Sequence, residues 1–164
     1  MAVTSTDLWS DADGLLLESC KPVPFFLVSD AETGNVTIDG VRSSGIDAGK
    51  VVYIAGMAGD YTPTVRAMYD SAIARARKVV GVSAAPAKAG DKIPVYTTGV
   101  VKVTLHDGAN ETVQAGKFVI GTYEGHVKSA PDPHATGVSY IDCIVGKAYQ
   151  SAAEGDEFLV KLLL

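Results

Sequence analysis

A mainly β fold is what this sequence predicts: a closed sheet built from two similar halves, with one short helix and an extended N-terminal arm. Three observations carry the prediction. Short apolar runs recur along the chain, each closed off by Gly, Asp, Asn or Pro, as strands joined by tight turns require. A block of about 50 residues is repeated within the chain. Only one stretch has the apolar spacing of a helix.

Size and composition agree with one domain and an arm. The chain has 164 residues, of which 47% are apolar and 20% charged; such a chain buries roughly 68–70% of its unfolded surface and needs no disulfide or metal to hold a core. Fourteen basic residues against nineteen acidic give a net charge of −5, which argues against a nucleic-acid partner, because those domains need a basic stripe. Apolar runs reach only about five residues, far short of the ~20 that span a bilayer as a helix, so no membrane partner is expected. Residues 1–20 hold no Lys or Arg, so no secretory leader is expected. Cys20 and Cys143 form no Cys-x-x-Cys pair and read as free thiols of a reducing compartment.

Charge divides the chain unevenly. Residues 1–40 hold seven acids and one base, Lys21, whereas residues 41–164 hold twelve acids and thirteen bases. Residues 1–20 are therefore read as an extended arm and residues 21–164 as a single β-rich domain. Leu8 and Trp9 are the notable large apolar residues at the start of the arm, and an exposed tryptophan is a good anchor for a partner surface. Pro22-Val23-Pro24 is extended, and Phe25-Phe26-Leu27-Val28 follows as the first strand. Further strands are expected at Asn35–Asp39, Val51–Ile54, Val79–Val82, Ile93–Tyr96, Val100–Leu105, Phe118–Ile120, Tyr140–Val145 and Phe158–Leu164. Within Thr62–Lys78 the larger apolar residues Val65, Met68, Tyr69, Ala72, Ile73 and Ala76 are spaced 3, 1, 3, 1, 3, which predicts the helix. Thr62 would cap it and Pro63 would take its first position.

The repeat pairs turns with the strands that follow them. Ala48-Gly49-Lys50 precedes Val51–Ile54, and Ala115-Gly116-Lys117 precedes Phe118–Ile120, 67 residues on. Val80-Gly81 leads through an Ala-rich loop to Ala89-Gly90-Asp91 and a strand; Val145-Gly146 leads likewise to Glu154-Gly155-Asp156 and a strand, 65 residues on. The halves are about 48–97 and 115–162. Two copies are too few for a solenoid, so a closed pseudo-symmetric fold is expected.

Catalytic patterns are not found in the sequence. Gly45-Ile46-Asp47-Ala48-Gly49-Lys50 resembles a phosphate loop, but one residue is missing between the glycines and Val51 stands where a hydroxyl would hold magnesium. His106, His126 and His134 have no ligand spacing, and His106-Asp107-Gly108 reads as a hairpin turn. Gly81-Val82-Ser83 and Gly137-Val138-Ser139 lack the second glycine of a nucleophile elbow, and Asp132 and Asp142 stand isolated. Asp91-Lys92 could present a carrier lysine, yet its repeat counterpart Asp156-Glu157 has none. The expectation is no enzyme, no cofactor and no metal site.

Several stretches carry a family resemblance. Ala48-Gly49-Lys50-Val51-Val52-Tyr53-Ile54, Val79-Val80-Gly81-Val82-Ser83-Ala84-Ala85, Ala89-Gly90-Asp91-Lys92-Ile93-Pro94-Val95-Tyr96 and the closing Glu154-Gly155-Asp156-Glu157-Phe158-Leu159-Val160-Lys161 are similar to those of tailed-phage capsid decoration proteins, also called cement or head-stabilising proteins. The resemblance covers about residues 40–164. It implies a barrel-like or tulip-like fold, a homotrimer, the major capsid protein as partner, and a place on the capsid exterior after synthesis in the host cytoplasm. It carries over no catalytic residue. Leu8, Trp9, Phe25 and Phe26 are the expected capsid or partner contacts, chosen from the residues and not from the family. The alternatives are another virion component, such as a head-fibre base or tail-associated β-domain, and after it a small carrier or enzyme domain.

Overall fold

In the computed structural model of the chain, the described residues are 25–28, 35–58, 62–68, 78–108, 110–131 and 143–164. Fifteen strands run through them. The first eight are β1 Phe25–Val28, β2 Asn35–Ile38, β3 Val41–Ile46, β4 Val51–Ala58, β5 Thr62–Ala67, β6 Val79–Ser83, β7 Ala87–Lys88 and β8 Lys92–Tyr96. The others are β9 Val100–Thr104, β10 Thr112–Val113, β11 Phe118–Gly121, β12 Val127–Ser129, β13 Ile144–Ala148, β14 Ala152–Ala153 and β15 Glu157–Leu162. The expectation of a mainly β fold holds.

Strands β1-β5-β4-β6-β8 close into a barrel. Strands β12-β11-β13-β15-β9 form a second five-stranded sheet, and β2-β3-β7 and β10-β14 form small sheets beside them. Closure removes the exposed edges that make strands aggregate. β1 pairs antiparallel with β8 and parallel with β5. In the second sheet β9 pairs antiparallel with β15, and Leu105 just beyond it bridges Val127 of β12 in parallel.

Burial follows the strand period. Along β15 the pattern alternates from exposed Glu157 to buried Phe158, Val160 and Leu162, and β8 buries Ile93 and Val95. β4 differs: Val51, Val52 and Tyr53 are all buried. Two cores explain this. Val52, Val65, Ala67, Ile93 and Val95 belong to one cluster, whereas Val51, Tyr53, Met68, Val79 and Val82 join β9, β11, β13 and β15 residues in the other. A strand covered on both faces reads as a continuous apolar run.

Turns at the repeated positions share their geometry. Gly49 and Gly116 take φ of +75° and +82°, and Gly90 and Gly155 take +86° and +76°, a region that L side chains rarely enter. The Asp91 carboxylate accepts the Lys88 amide at 3.1 Å, and the Asp156 carboxylate accepts the Ala153 amide at 2.9 Å.

Two local expectations are corrected. Thr62–Ala67, the predicted start of a helix, is strand β5, set between β1 and β4 with Val65 opposite both Val28 and Ile54. Thr64 and Val65 are β-branched and fit that wall, and Pro63 lies outside the β1 pairing, where its missing N–H costs nothing. Residues 69–77 of the predicted helix lie outside the described residues. His106-Asp107-Gly108 is no hairpin turn either, because β9 pairs with β15 and the chain beyond it crosses to β12.

Candidate functional site

The phosphate-loop lookalike is a turn whose amides are already committed. Gly49 N donates to the Ser83 carbonyl at 2.8 Å and Lys50 N donates to Ser83 Oγ at 2.9 Å. Ser83 Oγ in turn donates to the Asp47 carbonyl at 2.6 Å. A phosphate cradle needs such N–H groups free and convergent. Gly45, in the place of the first loop glycine, lets β7 cross close by, since a Cβ there would overlap Ala87 and Val36.

Lys50 has a different role. Its Nζ lies 2.7 Å from His126 Nε2, joining the turn before β4 to the start of β12. The chain reaches His126 through a short 3-10 turn, Tyr123–Gly125, whose Gly125 packs so near Lys50 that a Cβ would crowd the lysine stem. Burial lowers the Lys50 pKa, opposed by Asp47, Glu124 and Glu157. Burial also lowers that of His126, helped by Lys50 and His106 and opposed by Glu124 and Asp107. A neutral His126 can accept a hydrogen bond from the Lys50 ammonium at Nε2, whereas a protonated one would set two cations together.

His106 joins this junction, its ring centroid 5.4 Å from that of Tyr123 and 6.2 Å from that of His126. The Nδ1 atoms of both histidines are buried without a hydrogen-bond partner. Sequence spacing did not bring these residues together. The signal was available only through pairing: each histidine adjoins one partner of the Leu105–Val127 bridge. Among the described residues no group of three His, Cys, Asp or Glu could hold a metal ion. The junction fastens the turn before β4 in the barrel to the start of β12 in the second sheet.

Exposed apolar side chains offer a second kind of site. Register places Phe118 opposite Lys147, and Lys147 opposite Lys161. The Lys147 ammonium lies 4.8 Å from the centre of the Phe118 ring. Tyr149 follows on the same face, its amide bonded to the Leu159 carbonyl, and Leu159 is opposite Lys102. Phe118 is 42% exposed and Tyr149 53% exposed. Lys102 is paired with Glu157 at 2.6 Å. The result is an outward sheet face that mixes aromatic rings with lysines.

Leu8 and Trp9 lie outside the described residues, as do Cys20, Asp132, His134 and Asp142. Phe25 and Phe26 sit in β1, registered with Pro94 and Ile93 of β8. Lys92 is opposite Leu27 of β1, within the barrel wall and not at a hairpin tip, so the carrier arrangement is absent there. Cys143 is buried.

A profile described as phage cement protein matches residues 28–163, so Leu8, Trp9, Phe25 and Phe26 lie before the matched region. In fold the chain is similar to a solved structure described as head fiber gp8.5 N base in bacteriophage phi29. That likeness has a TM-score of 0.50 and 15% sequence identity, and covers 74% of this chain and 87% of the other. No curated protein matches the chain significantly.

Proposed function

The chain belongs to the phage cement protein family, and from that premise we propose that it binds the outside of the major-capsid lattice as a homotrimer and stabilises the head. It is a structural protein of the bacteriophage virion, a capsid decoration protein of a kind that is not enzymatic in general. The observation that carries the proposal is the extent of the family match, which spans both the barrel and the second sheet.

A cement protein gains affinity when several linked subunits bind at once, because each contact after the first is intramolecular. The rigid core here supports such a role: closed or bridged sheets hold the exposed surfaces in fixed relation. In this reading residues 1–20, with Leu8 and Trp9 as anchors and Phe25 and Phe26 beside them, lie along the capsid or a neighbouring subunit. No catalytic role is assigned to the Lys50–His126 junction.

A second reading is that the chain is the base of a head fibre. Its support is the fold shared with a head-fibre base. Both readings place the protein on the head, and an image of decorated heads separates them: a low knob fits cement, an elongated projection fits a fibre base. The proposal itself is tested by adding purified chain to heads that lack it. Heads that keep their genome to a higher temperature after the addition support stabilisation. Heads that bind the chain with no change in genome release contradict it.

A further inference from the structure

The lysine-rich face of the second sheet needs a partner with a particular chemistry. Its exposed rings, Phe118 and Tyr149, offer an apolar platform, while Lys147 stands over Phe118 and, among the described residues, has no carboxylate paired to it. Lys102, paired with Glu157, and Lys161 share the face. A segment that suits it must bring acids together with large apolar anchors.

This chain contains such a segment. Residues 1–20 hold Asp7, Asp11, Asp13 and Glu18 and no Lys or Arg, interleaved with Leu8, Trp9, Leu15, Leu16 and Leu17. The protein's single Trp lies within it. Acids meet lysines, and leucines and tryptophan meet the rings, with the indole also able to take a lysine ammonium over its face. We propose that the outer face of the second sheet, centred on Phe118, Lys147 and Tyr149, receives residues 1–20 of a second copy of the chain.

The proposal deepens the oligomeric part of the cement reading and rests on it, by naming the contact through which copies hold one another. It leaves other surfaces to meet the shell. An exchanged arm also ties each subunit to its neighbour, so removal of one subunit must break contacts on two copies. Arm exchange needs two copies, whereas docking onto its own face would need one; concentration separates the two.

The test uses the full-length protein in the absence of heads, so it is independent of capsid binding. Trp9 is the only tryptophan, and its emission reports the arm directly. The expected result is a blue shift of Trp9 emission that grows with protein concentration, in step with the mass measured by sedimentation. Lys147→Glu should weaken that association roughly tenfold, and added salt should weaken it in the native protein. Combining Lys147→Glu with Asp11→Lys and Asp13→Lys should restore it. Lys147 is exposed, so the variant is expected to fold, and an unchanged far-ultraviolet circular dichroism spectrum verifies this. A Trp9 emission that does not change with concentration overturns the proposal, as does a Lys147→Glu protein that associates like the native one. Heads that bind the chain despite either result would leave the capsid reading standing and remove only the arm exchange.

Discussion

Gly146 lies against the Lys161 carbonyl so closely that a Cβ would overlap its oxygen, and Gly81 stands in the same relation to Tyr96. Each glycine precedes its contact by 15 residues, as the numbering shows. Gly81 is opposite Val52 of β4 and Gly146 is opposite Val119 of β11, so each passes between two strands of its own sheet. The obstruction is backbone and cannot rotate away.

Gly81→Ala and Gly146→Ala are therefore each expected to destabilise the fold by about 3 kcal/mol or more, the upper end of overpacking costs, because the site cannot yield. Gly90→Ala is the matched control: nothing lies within 4 Å of its Cβ position, and only its φ of +86° is strained. Its cost should be about 1–2 kcal/mol. Urea unfolding midpoints of the three variants test the order.

Ser83 links the turn before β4 to the end of β6 through its hydroxyl, and it is fully buried. Ser83→Ala leaves the Lys50 amide and Asp47 carbonyl without that partner, at a cost of about 1–3 kcal/mol. The corresponding turn before β11 bonds in the same backbone pattern to Ala148, with Gly116 N donating to its carbonyl at 2.7 Å. The variant should thus fold, with a lower midpoint and an unchanged far-ultraviolet spectrum.

Acid should loosen the Lys50–His126 junction. The folded protein lowers the His126 pKa, so below the ordinary histidine value of about 6.5 the unfolded chain binds more protons than the folded one. Stability therefore falls as pH drops below that value and levels once the folded ring is itself protonated. Lys50 has the same sign at the alkaline end: stability rises with pH between its lowered folded pKa and the ordinary lysine value of about 10.5. His126→Gln should flatten the acid limb, measured as unfolding midpoint against pH. An equal acid slope in the variant contradicts the assignment.

Cys143 is wholly buried, so it should stay unmodified by an aqueous thiol reagent until the protein unfolds. A Cys20→Ser chain isolates the measurement to this one thiol. Rapid native-state labelling would place Cys143 at a surface and contradict its position in the core.

Most long strands were legible because period-two burial and Gly or Asp turns act locally: β8, β9 and β15 show both in sequence. β5 was hidden. Its alternation rests on Val65 and the small Ala67, whereas the adjoining Met68 completes a helix-like spacing with Val65. Pairing with β1 and β4 decides the matter, and pairing is not a local property. The two-residue strands β7, β10 and β14 are too short to carry a period. The outer face was equally hidden, since Phe118, Lys147 and Tyr149 become neighbours only through register.

A protein that decorates the phage head as a homotrimer must bind isolated heads with a fixed stoichiometry. Purified chain is titrated onto heads lacking it, and the head-bound fraction is measured by co-sedimentation. Saturation is expected at a fixed number of chains per head, a multiple of three for each occupied lattice site, with unbound chain appearing only beyond that point. Chain that stays in the supernatant at every concentration, or that sediments only with tails, would contradict it.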